Sequence, residues 1–302
     1  MDTAVQMTVE RAPRITSPDK VLFPRDGITK LDMIRYYDEV CDVMLTHMKE
    51  HPLAMLRYNG GIDKEKFFHK NAPDYFPDYI DRAPFETSKR TTMMPVVNNC
   101  EALLYIANQN CIEYHVLPEP AHDLWHPDRM IFDLDPSTEN FDEVREASLW
   151  LRELLEDLGL TPFVMTSGSR GLHIWVPLDG SATVEESNTF AHRVAEVIAA
   201  QHSDVLTTEF HKEKREDRIY VDVGRNAPGQ HAVTPYSLRA RDGAPVAMPI
   251  DWDEVADPSL TPKRYLMKDA PATVAERGDL WKGMRKRAKS LTNASRKLER
   301  LG

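Results

Sequence analysis

At 302 residues, 41 % of them hydrophobic and 28 % charged, the chain is long enough to bury one large core or two modest ones and too apolar to be disordered. The formal net charge of −10 argues, as an average, against a polyanionic partner. No apolar stretch approaches the ~18 residues of a membrane span, and the first ten residues carry neither a basic nor an apolar leader segment, so a cytoplasmic location with no membrane partner is expected.

Thr29-Lys-Leu-Asp32 has the form of a helix-capping arrangement. Leu31, Ile34, Val40, Met44 and Met48 follow at mostly helical spacing, predicting a helix over 30–48. Pro52, Gly60-Gly61, Pro73, Pro77 and Pro84 then punctuate a region of short strands and turns around Phe67-Phe68-His69-Lys70. The three cysteines, Cys41, Cys100 and Cys111, are too few and too irregularly spaced for a disulfide framework and fit a reducing compartment. A zinc cluster of Cys100, Cys111, His115, His122 and His126 is disfavoured, because structural zinc sites use tighter cysteine pairs. This first α/β module is expected to occupy residues 1–125.

From Met130 the pattern becomes regular. Ile131–Leu134 reads as a strand, and residues 141–158 as a helix with Val144, Leu151, Leu154, Leu155 and Leu158 inward and Gly159 at its stop. Pro162–Thr166 and Leu172–Pro177 read as strands joined by Ser-Gly-Ser-Arg-Gly. Thr183-Val-Glu-Glu186 is a capping box before a helix to about Ala200, and Ile219–Val223 reads as a further strand. The order β-α-β-β-α-β predicts an α+β protein whose core, residues 126–260, has the RNA-recognition or ferredoxin-like plan with sheet order 4-1-3-2. Residues 261–302 form a separate tail. Within it Lys282, Arg285, Lys286, Arg287, Lys289, Arg296, Lys297 and Arg300 face only Glu299, so the segment carries +7 on a body of −17. A basic arm of that kind suits phosphate contact, and equally a solvated helix or disordered terminus.

The strand at Ile131–Leu134 runs into Asp133-Leu-Asp135-Pro136. Alternation puts the two carboxylates on one face, where hard oxygen ligands suit Mg²⁺ or Mn²⁺, although Asp-Pro also begins turns. In the 4-1-3-2 order the first, third and fourth strands are neighbours, so Asp133, Asp135, His173 and Asp222 converge on one sheet face. Ser167-Gly-Ser-Arg170-Gly171 offers backbone N–H groups, Ser167 and Arg170 to an anion such as a triphosphate, or is an ordinary hairpin turn. Arg225, Arg239 and Arg241 follow the third acid, the last two placed as a pair two apart on a strand. Three carboxylates, a phosphate-cradling turn and flanking arginines describe two-metal phosphoryl transfer.

These residues, in Phe-Asp133-Leu-Asp135-Pro, Thr-Ser167-Gly-Ser-Arg-Gly-Leu-His173, Val-Asp222-Val-Gly-Arg225 and Pro-Tyr-Ser-Leu-Arg239-Ala-Arg241, resemble the polymerase domain of bacterial ATP-dependent ligase D, in the archaeo-eukaryotic primase superfamily. The similarity runs from Lys20 to about Val255. It implies a primase-polymerase that fills short gaps or extends broken DNA ends in non-homologous end joining or excision repair, preferring ribonucleotides and Mn²⁺. It further implies that Asp133, Asp135 and Asp222 hold two ions, and that Ser167, His173, Arg239 and Arg241 hold the incoming nucleoside triphosphate, with His115 and Arg225 in support. Phe67 and Phe68 would stack on template bases beside Lys70, and Lys20 and Lys30 would grip a downstream 5′-phosphate. Arg170 stands where many relatives have lysine. With no ligase or nuclease motif in the chain, a separate DNA ligase and a Ku-type end-binding protein are the implied partners, at the nucleoid.

Two other readings compete. Phe-Asp-Leu-Asp-Pro-Ser and Val-Met-Thr-Ser-Gly resemble motifs of haloacid-dehalogenase-type phosphohydrolases, which need a downstream lysine and acidic pair on a doubly wound sheet. A non-catalytic nucleic-acid-binding module of RNA-recognition type would carry aromatics where this sheet carries carboxylates.

Overall fold

The computed structural model describes residues 11–86 and 90–301; the ten N-terminal residues, read above for a leader, lie outside them. Two short strands, β1 (Val21–Phe23) and β2 (Ile28–Thr29), precede helix α1 (Lys30–Met48). Thr29 caps α1 as expected: its hydroxyl accepts from the Asp32 N–H while the Asp32 carboxylate accepts from the Thr29 N–H. Strands β3 (Leu53–Arg57) and β4 (Phe67–His69), the hairpin β5 (Asp81–Glu86) and β6 (Thr91–Val96), helix α2 (Cys100–Asn108) and β7 (Cys111–Val116) complete the N-terminal half.

The second half contains β8 (Arg129–Asp135), α3 (Phe141–Asp157), β9 (Phe163–Thr166), β10 (Leu172–Pro177) and α4 (Val184–Gln201). After them come β11 (Leu206–Thr207), β12 (Ile219–Asp222), β13 (Ala232–Val233), β14 (Pro249–Ile250) and helices α5 (Trp252–Ala256), α6 (Ala270–Arg277) and α7 (Leu291–Leu298). Every element of the predicted second-half series is present within two residues. Gly159, at φ 90°, stops α3, and the Thr183–Glu186 box starts α4.

Strands β12, β8, β10 and β9 lie side by side, the expected 4-1-3-2 order. The sheet is wider than expected: β11 joins β12 in parallel and β14 joins β9, giving six strands. Both additions are two residues long, too short for a periodicity to register. Helices α3 and α4 pack on β8. A second sheet, β13-β7-β3-β4, comes mainly from the N-terminal half, and β13 ties it back to the residues after Asp222. One continuous apolar core runs from Leu22 to Leu298 through both halves. Among the described residues no helix is long and apolar enough to cross a membrane.

Two expectations need correction. Cys41 and Cys100 form a disulfide, with Cα atoms 5.8 Å apart. Helices α1 and α2 pack side by side, which a separation of 59 residues conceals in the sequence. Cys111 is free and buried, while Cys100, the other cysteine of the disfavoured zinc cluster, is held in the disulfide. The C-terminal segment is also no free tail. Trp281, Met284, Leu291, Ala294 and Leu298 are buried, the Trp281 indole donates to the Val164 carbonyl at 3.1 Å, and Asp279 accepts from the His47 ring at 3.0 Å.

Candidate active site

Strand register builds the site. On β8, Asp133 is paired directly with Asp222 of β12 on one side and with His173 of β10 on the other. At the end of β8 burial alternates, with Leu134 buried and Asp133 and Asp135 half-buried, so the two acids share the open face. Residues directly opposite on neighbouring strands have Cβ atoms about 4.5–5.5 Å apart, and like charges there repel. Burial and the neighbouring Asp133 charge accordingly raise the Asp222 carboxyl above its ordinary range. Burial acts the same way on Asp133, but His173, at 3.3 Å, and Arg225 outweigh it and hold Asp133 low. Arg225 bridges the pair, 3.5 Å from Asp133 and 3.3 Å from Asp222. Asp135 is clasped by Arg170 at 2.7 Å and Arg215 at 3.1 Å.

The turn between β9 and β10 sits directly on β8. The Ser167 hydroxyl accepts from the N–H groups of Ser169 and Gly171, at 3.2 and 3.0 Å. A Cβ on Gly171 would lie 1.9 Å from the Leu134 carbonyl oxygen, so only glycine permits the turn to approach the strand that carries the acids. Gly168, at φ +62°, brings the backbone against the Arg239 side chain.

Strand β7 supplies the opposite wall through Glu113 and His115, which share a face. Glu113 accepts from Arg239 Nε at 3.0 Å, from the Ala240 N–H at 3.1 Å and from His115 Nε2 at 3.1 Å. Arg239 also donates to the Ser167 carbonyl at 2.6 Å. Burial pushes the Glu113 carboxyl up, and Arg239 and His115 more than reverse it, leaving it well below the carboxylate range. Burial lowers His115. Arg239 and Arg241 do not stand on a strand as expected: past the isolated Leu238–Val246 bridge the chain turns, with the Arg241 N–H donating to the Arg239 carbonyl. The two arginines reach the same cleft from that turn.

The cleft encloses about 830 Å³ and is lined by all ten of the expected metal and nucleotide residues: Asp133, Asp135, Asp222, Ser167, Arg170, His173, His115, Arg225, Arg239 and Arg241. Sequence reasoning missed His231 and Lys263, which also line it, and the clamps Glu113 and Arg215. Glu113 stood two residues before His115 on a strand, a signal of the same kind as Asp133 and Asp135. Arg215 lies within Lys212-Glu-Lys-Arg-Glu-Asp217, where nothing separates it from a solvated charge run.

The five expected DNA residues stand around the cleft rather than in it. Phe67 and Phe68, 38 % and 47 % exposed, are adjacent on β4 and therefore point to opposite faces. Phe68 is the one turned toward the cleft, its ring 5.0 Å from that of His231, which lies 5.3 Å from the His115 ring. Lys70 lies 5.8 Å above the Phe68 ring and donates to the Gly229 carbonyl at 2.7 Å. Lys20 donates to the Asn59 carbonyl, and Lys30, only 2 % exposed, to Thr16 at 2.7 and 3.0 Å. Burial, with Lys20 and Arg57 close by, lowers the Lys30 ammonium to about 8.

Three oxygen donors on one face, two of them repelling across adjacent strands, fit a divalent metal. The donor set contains no sulfur; Arg225 and His173 face Asp133 and Asp222, and Arg170 and Arg215 face Asp135.

A family model described as LigD, primase-polymerase domain, matches residues 29–281. The chain is 31 % identical over 96 % of its length to the multifunctional non-homologous end joining protein LigD of Mycolicibacterium smegmatis. It is 32 % identical over 88 % of its length to the bifunctional LigD of Bacillus subtilis. It spans 40 % and 43 % of those two proteins. The solved polymerase domain of Mycobacterium tuberculosis ligase D, in complex with DNA, superposes with a TM-score of 0.86 at 32 % identity, covering 92 % of this chain and all of that one.

Proposed function

The chain belongs to the LigD primase-polymerase family, and from that premise we propose that it is a template-directed nucleotidyltransferase that extends DNA ends and fills short gaps in DNA repair. The observation that carries the proposal is the register: Asp222, Asp133 and His173 side by side on three strands, with a serine-glycine turn and two arginines facing them across one cleft. The relatives' names point to end joining, and the solved relative was captured on DNA.

In this reading the βαββαβ core is of RNA-recognition or ferredoxin-like type and the site takes two Mn²⁺ or Mg²⁺ ions at Asp133, Asp135 and Asp222. Such ions would acidify the primer 3′-hydroxyl and neutralise the triphosphate. The hydroxyl gives up its proton to solvent, its oxygen attacks the α-phosphorus, the bond to the β-phosphate breaks, and pyrophosphate leaves. The protein's share is positioning and charge. Arg239, held by Glu113, and Arg241 grip phosphate oxygens; Ser167 fixes the turn beside them by accepting from the Ser169 and Gly171 N–H groups; His173 and Arg225 hold Asp133 ionised. Arg170 and Arg215 keep Asp135 aligned.

Phe68, with His231 behind it, is the stacking surface for a template base, an interaction of about 1–3 kcal/mol. Lys20 and Arg57 stand close enough to lower Lys30, and these three cations, with no ion pair among the described residues, suit the 5′-phosphate across a gap. Nucleoside triphosphates, ribonucleotides preferred, and gapped or broken DNA are the substrates, and a separate ligase and Ku-type protein the partners. Neither rival fits this site: the single Asp222 and the strand order do not make a haloacid-dehalogenase sheet, and a binding module has no use for three converging acids.

The test is extension of a primer across a gapped, 5′-phosphorylated template with Mn²⁺. Wild type extends it, and Asp133→Ala with Asp135→Ala does not. DNA binding without extension by wild type favours the binding module, and phosphate release from small esters the hydrolase.

A further inference from the structure

The basic stretch from Lys282 to Arg300 lines no part of the cleft. It lies beyond the residues matched by the family model, which end at 281. Its cations are carried on a pinned scaffold: a 3₁₀ turn at Met284–Arg287, anchored by buried Trp281 and Met284, and a bridge that sets Lys289 beside Leu178. Helix α7 then packs on α4.

The charges on this scaffold are unmet. Arg285 pairs with Glu50 at 2.9 Å, but among the described residues Lys282, Lys286, Arg287 and Lys289 have no carboxylate within 4.0 Å, although acids outnumber bases 48 to 38 in the chain. All four are exposed. On an acidic protein, four exposed cations within eight residues, none with a carboxylate partner among the described residues, are left to meet an external anion. A protein partner would leave a different signature, an interface centre rich in aromatics and poor in lysine. Between Lys282 and Arg300 no large hydrophobic side chain is exposed. A polyanion of regular charge spacing fits what is there.

The bridge at Leu178 and Lys289 follows the far end of β10 from His173. Five residues along a strand is about 17 Å, the length of roughly five base-pair steps at 3.4 Å each. We infer that Lys282, Lys286, Arg287 and Lys289 form a second, sequence-independent contact for duplex nucleic acid, separate from the catalytic cleft. The inference rests on the polymerase reading only for the choice of DNA as the natural polyanion.

The contact is tested with a fluorescent 30-base-pair duplex closed by hairpins at both ends, which offers the cleft no primer terminus. Binding to the full chain is followed by anisotropy against salt concentration. Four phosphate contacts contribute about 0.9 each to the slope of log affinity on log salt. The quadruple variant Lys282→Gln/Lys286→Gln/Arg287→Gln/Lys289→Gln is therefore expected to flatten the slope by about 3–4 and to bind roughly tenfold or more weakly at low salt. Single-nucleotide addition to a short gapped primer at saturating DNA should not change, because none of the four touches the cleft. Equal affinity and slope for the variant and wild type overturn the inference. So does capture of polyglutamate by wild type, lost in the variant, with no capture of the duplex, since that marks an acidic protein as the partner. A Lys282→Arg/Lys286→Arg/Lys289→Arg variant retains charge and is expected to keep the slope; failure to do so also overturns it. If wild type binds the closed duplex through these residues yet extends no primer, the inference stands and the polymerase reading falls.

Discussion

Replacing Glu113 with Gln isolates the clamp that positions Arg239. In the native protein Glu113, 6 % exposed, accepts from Arg239, Ala240 and His115 at 3.0–3.1 Å. Glutamine can keep one acceptor for the Ala240 N–H, but its amide NH₂ then faces the Arg239 and His115 donors. Loss of a charge-assisted bond costs about 1.5–3 kcal/mol, and breaking a fully buried pair about 3–5. Arg239 keeps some solvent access, at 18 % side-chain exposure, so about 2–3 kcal/mol is expected from those ranges. Urea unfolding measures it, with m unchanged. The folded-state carboxyl lies below its unfolded value, so its stabilisation is present above the unfolded pKa of about 4.3 and is lost as pH falls below that. The gap between wild type and Glu113→Gln should therefore be full at pH 7 and narrow toward pH 3. Extension kinetics should show a raised KM for the nucleoside triphosphate, as Arg239 loses its alignment, with a smaller change in kcat. A loss of under about 0.5 kcal/mol, an ordinary surface value, together with an unchanged KM, refutes the clamp.

Three further outcomes follow from the same geometry. Asp222→Asn should abolish extension while leaving the fold as stable or more so. The native carboxyl titrates above its ordinary value, so its contribution worsens as pH rises past about 4; unfolding at pH 7 by wild type and variant checks the sign. Gly171→Ala, with its Cβ 1.9 Å from the Leu134 oxygen, should cost upward of about 2 kcal/mol and nearly all activity. Gly180→Ala, at φ +74° with open space around it, should cost only about 1–2 kcal/mol, as thermal melts of the pair would show. Preference for a 5′-phosphorylated over an unphosphorylated gap should fade as pH rises from 7 to 9, because Lys30 loses its proton near 8; a constant ratio contradicts its role.

Asp133, Asp135, His173 and Asp222 were legible because a period-2 pattern and a familiar strand order fix which residues become neighbours. The ordering needed no contact information beyond the alternation of helix and strand. Glu113 and Arg239 are 126 residues apart, one on strand β7 and the other in the irregular stretch between β13 and β14, and nothing local announces that they meet. Spacing alone places Arg239 and Arg241 on a strand, whereas the Arg241 N–H closes a turn instead of joining a ladder. The Cys41–Cys100 bond depends on how α1 packs on α2, a tertiary fact. The C-terminal segment was misjudged for a different reason. Its charges are conspicuous, but its anchors Trp281, Met284, Leu291, Ala294 and Leu298 are spread across a turn and a helix without one period.

The most direct test of template-directed transfer by this cleft uses four gapped substrates that differ only in the templating base, each offered all four ribonucleotides with Mn²⁺, the added residue and the released pyrophosphate being counted. One complementary nucleotide added and one pyrophosphate released per primer are expected, all of it lost in Asp222→Asn. Addition that ignores the templating base, or phosphate release without primer extension, would contradict template-directed transfer.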